Sequence, residues 1–336
     1  MARTLEELAA KAGVSRSTVS RVINGGPVSH STRSRVMAVL ESTNYRPNLA
    51  ARSLATGRTG IVGLVIHEPA SAVFSDAYFS VMLAGIAETL ADEATGMMLW
   101  MSHQSAEETL DRVLSTSFVD GIICTATRTA DPVVDGLLAS GVPTVLLGHR
   151  RDDDTANYVD IDNIAAAEDM VEHLLGIGRR RIGHITGDRG TVSGEDRVLG
   201  YHRALDKAEI AERFVVDGDY SEEGGHDNAL TLLDQGVDAI FAGSDAMARG
   251  VYKAAAERGI RIPDDVAVAG FDDLDFAAEL DPPLTTVRQD VHAQGRTAAL
   301  TLLKILDRSP DSAKRVILPT ELVIRQSTIG GGAGRV

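Results

Sequence analysis

The sequence predicts a small all-α helix-turn-helix head, joined by a short hinge helix to an α/β body of two doubly wound lobes. Three observations carry that prediction. Basic charge gathers at the N-terminal end, two short helical patterns flank a glycine, and apolar runs alternate with helical stretches from Gly60 onward. A chain of 336 residues exceeds one ordinary core, so two or three domains are expected. Its 44% hydrophobic and 24% charged residues are the balance of a globular protein. No apolar run reaches the roughly 18 residues of a membrane-spanning helix, so no membrane partner is expected. The opening Met1-Ala2-Arg3-Thr4-Leu5-Glu6-Glu7 has no apolar signal core and carries acids early, which makes the cytoplasm the expected compartment. Cys124 is the only cysteine, so neither an intrachain disulfide nor a zinc framework is expected.

The formal net charge of −15 argues against nucleic acid until its distribution is read. Residues 1–58 carry nine Lys/Arg and three acids, a balance of +6, which leaves −21 on the rest. A basic head on an acidic body is the asymmetry of a nucleic-acid-binding module fused to something else.

In the head, Thr4-Leu5-Glu6-Glu7 has capping-box spacing, with Thr4 as N-cap. Leu5, Leu8, Ala9 and Ala12 follow at helical intervals, and Gly13 breaks the helix where a tight turn is needed. Ser15 suits the cap of a second helix whose Val19, Val22 and Ile23 form a short apolar stripe. Asn24-Gly25-Gly26-Pro27 ends it, and a third helix is predicted over about Ser31 to Thr43. Two short helices across a glycine turn can place the second in the major groove. On that helix Arg16, Ser17, Ser20 and Arg21 stay on the polar side. Arginine's planar fork fits guanine O6 and N7, while a phosphate contact is the alternative for each.

Pro47 stops any helix before it, and Asn48–Ala55 is a short helix-capable stretch, marginal in isolation. The body begins with Ile61-Val62-Gly63-Leu64-Val65-Ile66, a buried strand. Gly121–Cys124, Pro143–Leu147, Arg181–Ile185, Ala239–Ala242 and Val266–Ala269 read the same way, with helical stretches such as Ile164–Leu175 and Ala246–Arg258 between them. Unbroken apolar strands alternating with helices imply parallel sheets covered on both faces. Ligands of such sheets bind at strand C-terminal ends.

Thr4–Ala9 and Ala12-Gly13-Val14-Ser15-Arg16-Ser17-Thr18-Val19-Ser20-Arg21-Val22-Ile23-Asn24 resemble the DNA-binding head of LacI/GalR-type regulators. So does Asn44-Tyr45-Arg46-Pro47-Asn48-Leu49-Ala50-Ala51-Arg52-Ser53-Leu54, and the similarity continues to Leu318-Pro319-Thr320-Glu321-Leu322. The resemblance implies a head over 1–46, a hinge over 47–59, a body over 60–329 and a flexible tail over 330–336. It implies a periplasmic-binding-protein-like body with three crossovers. Lobe one would be about 60–159 and 291–318, and lobe two about 160–288 and 319–329. DNA contacts are implied at Thr4, Ser15, Thr18 and Asn24 besides the four residues above. Leu54, with Ala51 beside it, would enter the minor groove as a wedge; a plain linker with Leu54 packed on the body is the alternative. The effector would meet Arg197, Tyr220, Ser244, Asp272 and Gln289, with Phe74, Tyr78 and Phe79 as apolar walls. A sugar suits such a set, since an aromatic ring stacks on its C–H face while Asp and Arg bond its hydroxyls.

Structural roles compete at these positions: Asp272 or Asp245 as a helix cap, Tyr220 as core, Arg197 as a bridge between lobes. The family's usual Asp-Arg pair after the fifth strand is replaced by Gly148-His149-Arg150, which leaves the effector's identity open and offers His149 as a possible contact. The expected function is a sequence-specific transcriptional regulator without a cofactor, a repressor released from a pseudo-palindromic operator by a carbohydrate effector and acting as a homodimer. A corepressor-dependent regulator or an activator of the same fold is the alternative. A solute-binding protein is opposed by the basic head. An enzyme is opposed by the lack of a P-loop, a dinucleotide fingerprint or a metal-spaced His pair. Ser327–Val336 has no heptad repeat, hence no tetramer-forming coiled coil.

Overall fold

Local chemistry sets the head. The Thr4 side chain accepts from the Glu7 backbone N–H at 3.3 Å and starts α1 (Leu5–Ala12), and Gly13 ends it at φ +63°, a left-handed conformation suited to glycine. Ser15 Oγ accepts from Thr18 N at 3.1 Å at the start of α2 (Arg16–Ile23). Ser29 caps α3 (His30–Ser42) by accepting from Thr32 N. Leu8, Ala9, Ala12, Val19, Val22 and Val36 form the buried centre. In this computed structural model residues 4–23, 26–43, 45, 57–101, 105–115, 118–125, 128–151, 155–309 and 315–329 are described. The expected hinge helix, with Ala51 and Leu54, and Asn24 lie outside them. The chain divides into two compact units, Met1–Gly60 and Ile61–Val336.

The body holds two six-stranded sheets. Its first half runs β1 (Ile61–Ile66), α4 (Ala70–Ser75), α5 (Ala77–Asp92), β2 (Gly96–Met101), α6 (Ala106–Leu114), β3 (Gly121–Thr125), α7 (Pro132–Ala139), β4 (Thr144–Leu147) and β5 (Asn157–Ile161). There follow α8 (Asn163–Gly176), β6 (Ile182–Ile185), α9 (Val192–Lys207), β7 (Phe214–Val216), α10 (Glu222–Asp234), β8 (Ala239–Ala242), α11 (Asp245–Glu257), β9 (Ala267–Asp272) and β10 (Thr285–Gln289). The chain then returns through α12 (Val291–Leu306) to β11 (Arg315–Leu318) and ends the second sheet with β12 (Thr320–Val323). The sheet orders are β11-β5-β4-β3-β1-β2 and β12-β10-β9-β8-β6-β7. The chain therefore changes sheet after β5, after β10 and after β11. Among the described strands only the β10–β12 pair is antiparallel.

Both faces of each sheet are covered, as unbroken apolar strands require. Val62, Leu64, Ile66 and Ile123 pack on one face of the first sheet, and Val65, Ile122 and Cys124 on the other. In the second sheet Phe241, Ala267, Ala269 and Phe271 face one way, and Ile240, Ala242, Val266 and Val268 the other. Cys124 is wholly buried in β3, and burial pushes its thiol up, so it serves as core.

Candidate functional site

A cleft of about 380 Å³ opens where the C-terminal ends of strands from both sheets meet. Its lining includes Glu68 after β1, Gly148 after β4, Asp188 after β6, Tyr220 after β7, Ser244 after β8, and Asp272 and Gln289 at the ends of β9 and β10. This is where parallel sheets present loops, helix N-termini and side chains together.

Asp272 anchors the second-sheet wall. Its φ is +119° and that of Asp273 +59°, an uncommon backbone for residues with a Cβ, and such strain collects at binding sites. Neighbouring groups hold the turn: Asp245 accepts from Leu274 N at 2.9 Å and from Thr286 Oγ1 at 2.6 Å. Asp273 accepts from Arg288 Nε and Arg325 Nη2, both at 2.7 Å. With those ties made elsewhere, Asp272 is left to line the cleft, where Gln289 Nε2 donates to it and Gln294 Nε2 donates to Gln289 Oε1 at 2.8 Å. Burial pushes the Asp272 carboxyl up, the Arg197 guanidinium offsets part of the rise, and the Asp76 charge adds to it. The cap of α11, the alternative role weighed for Asp245, falls to Ser244, which accepts from Met247 N at 3.2 Å.

Arg197, on α9, is 4% exposed. Its guanidinium carbon lies 3.6 Å over the Phe271 ring, Nε donates to Asn163 Oδ1 at 3.0 Å, and Nη1 donates to the Gly243 carbonyl. Stacking and two bonds fix the side chain in the cleft wall. Tyr220 also sits at positive φ, +65°, with its hydroxyl 3.2 Å from both Thr191 Oγ1 and Ser193 Oγ. Its ring lies against Gly187, where an added Cβ would fall 2.0 Å from the ring. Gly187→Ala is therefore expected to push the ring off its seat and weaken ligand binding about tenfold, with DNA binding unchanged; calorimetric titration of the cleft ligand checks it.

The structure brings the five expected polar and aromatic contacts Arg197, Tyr220, Ser244, Asp272 and Gln289 to the cleft, with the expected wall residues Tyr78 and Phe79. Phe74 is the exception. It lies on the short α4 at 73% exposure, outside the lining, while Val73 turns into the core and Ala72 and Ser75 face the cleft. Tyr78 and Phe79, expected beside it, supply the apolar wall without it, their rings edge-to-face at 5.5 Å. His149 lines no part of this cleft and turns to Asp160. The sequence reading missed Asp76, which caps α5 through Tyr78 N and whose carboxyl burial pushes up. It also missed Arg128, which pairs with Glu68 at 3.3 Å and Asp188 at 2.7 Å. A capping Asp two residues before the aromatic pair was the available signal for the first.

In the head, Ser15, Arg16, Ser17 and Arg21 are exposed, Thr18 and Ser20 half-buried, and Val19 and Val22 buried beneath them. Ser15 Oγ lies 2.8 Å from both Ser17 Oγ and Thr18 Oγ1. Arg16 pairs with Glu6 at 2.9 Å, both side chains well exposed. The result is an exposed, basic helix face with hydroxyls between its charges.

The model of bacterial regulatory proteins of the lacI family matches residues 4–48, and that of a periplasmic binding protein-like domain matches residues 171–328. The HTH-type transcriptional regulator CelR of Thermobifida fusca is 36% identical over 332 residues, covering 96% of this chain and 98% of the relative. The chain belongs to the LacI family. It is a DNA-binding transcriptional regulator with a two-lobed α/β body. Two solved LacI-family structures resemble it along their length. The transcriptional regulator CelR–cellobiose complex has a TM-score of 0.76 at 34% identity, covering 97% of this chain and 99% of that one. The Lac repressor dimer bound to operator and the anti-inducer ONPF has a TM-score of 0.85 at 28% identity, covering 98% and 99%. Among the described residues no helix is long and apolar enough to cross a membrane.

Proposed function

We propose that this LacI-family regulator is a cytoplasmic repressor that binds a pseudo-palindromic operator as a homodimer and lets go when a sugar or sugar derivative fills the cleft. The observation that carries the effector class is the pairing, in one cleft, of a buried Asp272–Gln289–Gln294 chain and Arg197 with the rings of Tyr78, Phe79 and Tyr220. Hydroxyls donate to the carboxylate and accept from the guanidinium, and aromatic faces take the C–H side of a pyranose. The cellobiose held by the similar CelR supports a glucoside as the first probe. The cleft serves as a receptor, and no reaction is assigned to it.

Thr4, Ser15, Arg16, Ser17, Thr18, Ser20, Arg21 and Asn24 would face the operator, with α2 in the major groove. Residues 47–59 would form the hinge, with Ala51 and Leu54 at the minor groove. The body's lobes would be about 60–159 with 291–318, and about 160–288 with 319–329. Effector binding would bias the relation of these lobes, and DNA must weaken effector binding by the same factor.

Selection from a random duplex pool with full-length protein at fixed salt tests this reading. The expected result is an enriched near-palindrome with a flexible central step. Enrichment only in the presence of a sugar would make the sugar a corepressor. No enrichment with or without sugars would overturn the assignment.

A further inference from the structure

Gly148-His149-Arg150, expected after a fifth strand, follows β4 instead, and this segment holds a chain of charges that joins the two sheets. His149 donates through its backbone N–H to Asp160 Oδ2 at 2.9 Å, and its Nδ1 lies 2.8 Å from the same oxygen. Asp160 lies on β5 of the first sheet, one residue before its end. On the other side His149 Nε2 lies 3.7 Å from Asp196 Oδ2 on α9, which packs on the second sheet's side of the body. His149 is 24% exposed at its side chain, while Asp160 and Asp196 are 9% and 3% exposed. Two buried carboxylates from opposite halves thus flank one imidazole.

We propose that His149 is a proton-dependent tie between the two halves of the body, anchored on Asp160 and reaching Asp196 when the imidazole is charged. Its consequence for the effector rests on the function proposed above. A neutral imidazole keeps one N–H, and the bond to Asp160 claims it. The unprotonated Nε2 then faces the Asp196 carboxylate, and the imidazole's own attraction to Asp196 is lost. The charged groups facing the ring are Asp160 from β5, Asp196 from α9 and Arg151 from its own loop; the Tyr158 ring lies at 6.1 Å. Arg151 also pairs with Asp196 and, at 3.6 Å, with Glu195. Arg151 thus keeps one ion pair across the halves when His149 is neutral. The hydrogen bond that the ring donates to Asp160 pushes the imidazole up from its ordinary value, burial opposes this, the Asp160 and Asp196 charges add to it, and Arg151 subtracts. The tie is therefore fully present below the unfolded value of about 6.5 and lost as pH rises through the higher folded value.

The tie reaches the cleft wall through bonds. Asp160 Oδ1 accepts from Asn163 Nδ2 at 3.3 Å, and Asn163 Oδ1 accepts from Arg197 Nε at 3.0 Å. Asp196 precedes Arg197 on α9. A second, open cavity lined by His149, Arg151 and Asp196 gives solvent protons access.

The test is an NMR titration of the histidine ring carbons in full-length, ligand-free protein carrying labelled histidine, from about pH 5 to 9. His149→Gln assigns the resonance. The wild-type midpoint is expected above about 6.5. Asp196→Asn should lower it by about half a unit or more, and Arg151→Ala should raise it. Opposite signs from two neighbours separate a charge effect from a folding defect, and the Arg151 variant suffices if Asp196→Asn misfolds. A midpoint at or below about 6.5, or one indifferent to both substitutions, would overturn the tie. A cellobiose titration of the same samples distinguishes the two claims. If the imidazole behaves as expected and no sugar binds, the effector reading fails and the tie stands. If a sugar binds with the same affinity at pH 6 and pH 8.5 in wild type and His149→Gln alike, the tie has no bearing on the cleft.

Discussion

Asp272→Asn is expected to bind its operator as tightly as the wild type and to ignore the effector. The substitution keeps the volume, and a neutral amide removes a carboxyl that burial already disfavours in charged form, so the fold should hold. What changes is the bonding sense. The carboxylate accepts from Gln289 Nε2 and has further lone pairs for ligand hydroxyls. An amide there brings its own N–H against the Gln289 donor or against the hydroxyls. Losing that acceptor and leaving ligand hydroxyls unpaired inside a buried site costs about 3 kcal/mol, roughly 10²-fold in effector affinity. Titration calorimetry with the cleft ligand, beside an operator-binding curve, checks both halves. Unchanged effector affinity would remove Asp272 from the site.

The second large effect is expected in the head. Arg16→Ala and Arg21→Ala should each weaken specific operator binding by about 1–3 kcal/mol. The ion pair between Arg16 and Glu6 is no obstacle to DNA. Its side chains are 67% and 60% exposed, and such a pair is worth at most about 1 kcal/mol. Arg16→Lys separates readout from charge: lysine keeps a phosphate contact but loses the planar fork. If Arg16 reads a guanine, Arg16→Lys will relax one or two operator positions in a selection experiment. A retained consensus would place Arg16 on the phosphate backbone.

How much was legible in the sequence follows from how local each signal is. The head is written in neighbouring residues: Thr4 with Glu7, Gly13, and the Val19–Val22 stripe. Its third helix was expected from Ser31 and begins one residue earlier, at His30. The central strands β1, β3, β4, β6, β8 and β9 announce themselves because burial on both faces makes them continuously apolar. The strands left unread are short, polar or peripheral. β5 is Asn157-Tyr158-Val159-Asp160-Ile161, with Asp160 drawn into the network at His149. β10 carries Arg288 and Gln289 for the turn and the cleft, and β2, β11 and β12 pair on one side only.

The cleft was legible where chemistry follows a strand directly. Asp272 and Gln289 are far apart in sequence and meet because β10 pairs with β9 so that Arg288 opposes Asp272. That register is invisible in a single sequence. Phe74 misled because an aromatic residue after the first strand looks like a wall, whereas the turn of α4 sends it to solvent and leaves the task to Tyr78 and Phe79. The same limit applied to His149, whose partners Asp160 and Asp196 come from different elements.

The most direct test of a DNA grip governed by the cleft is an anisotropy titration of the selected operator duplex against wild type and Asp272→Asn, with and without sugars, cellobiose first. One sugar is expected to weaken wild-type operator binding about tenfold or more and to leave Asp272→Asn unaffected. Operator affinity identical in every sugar, or an equal response from Asp272→Asn, would contradict it.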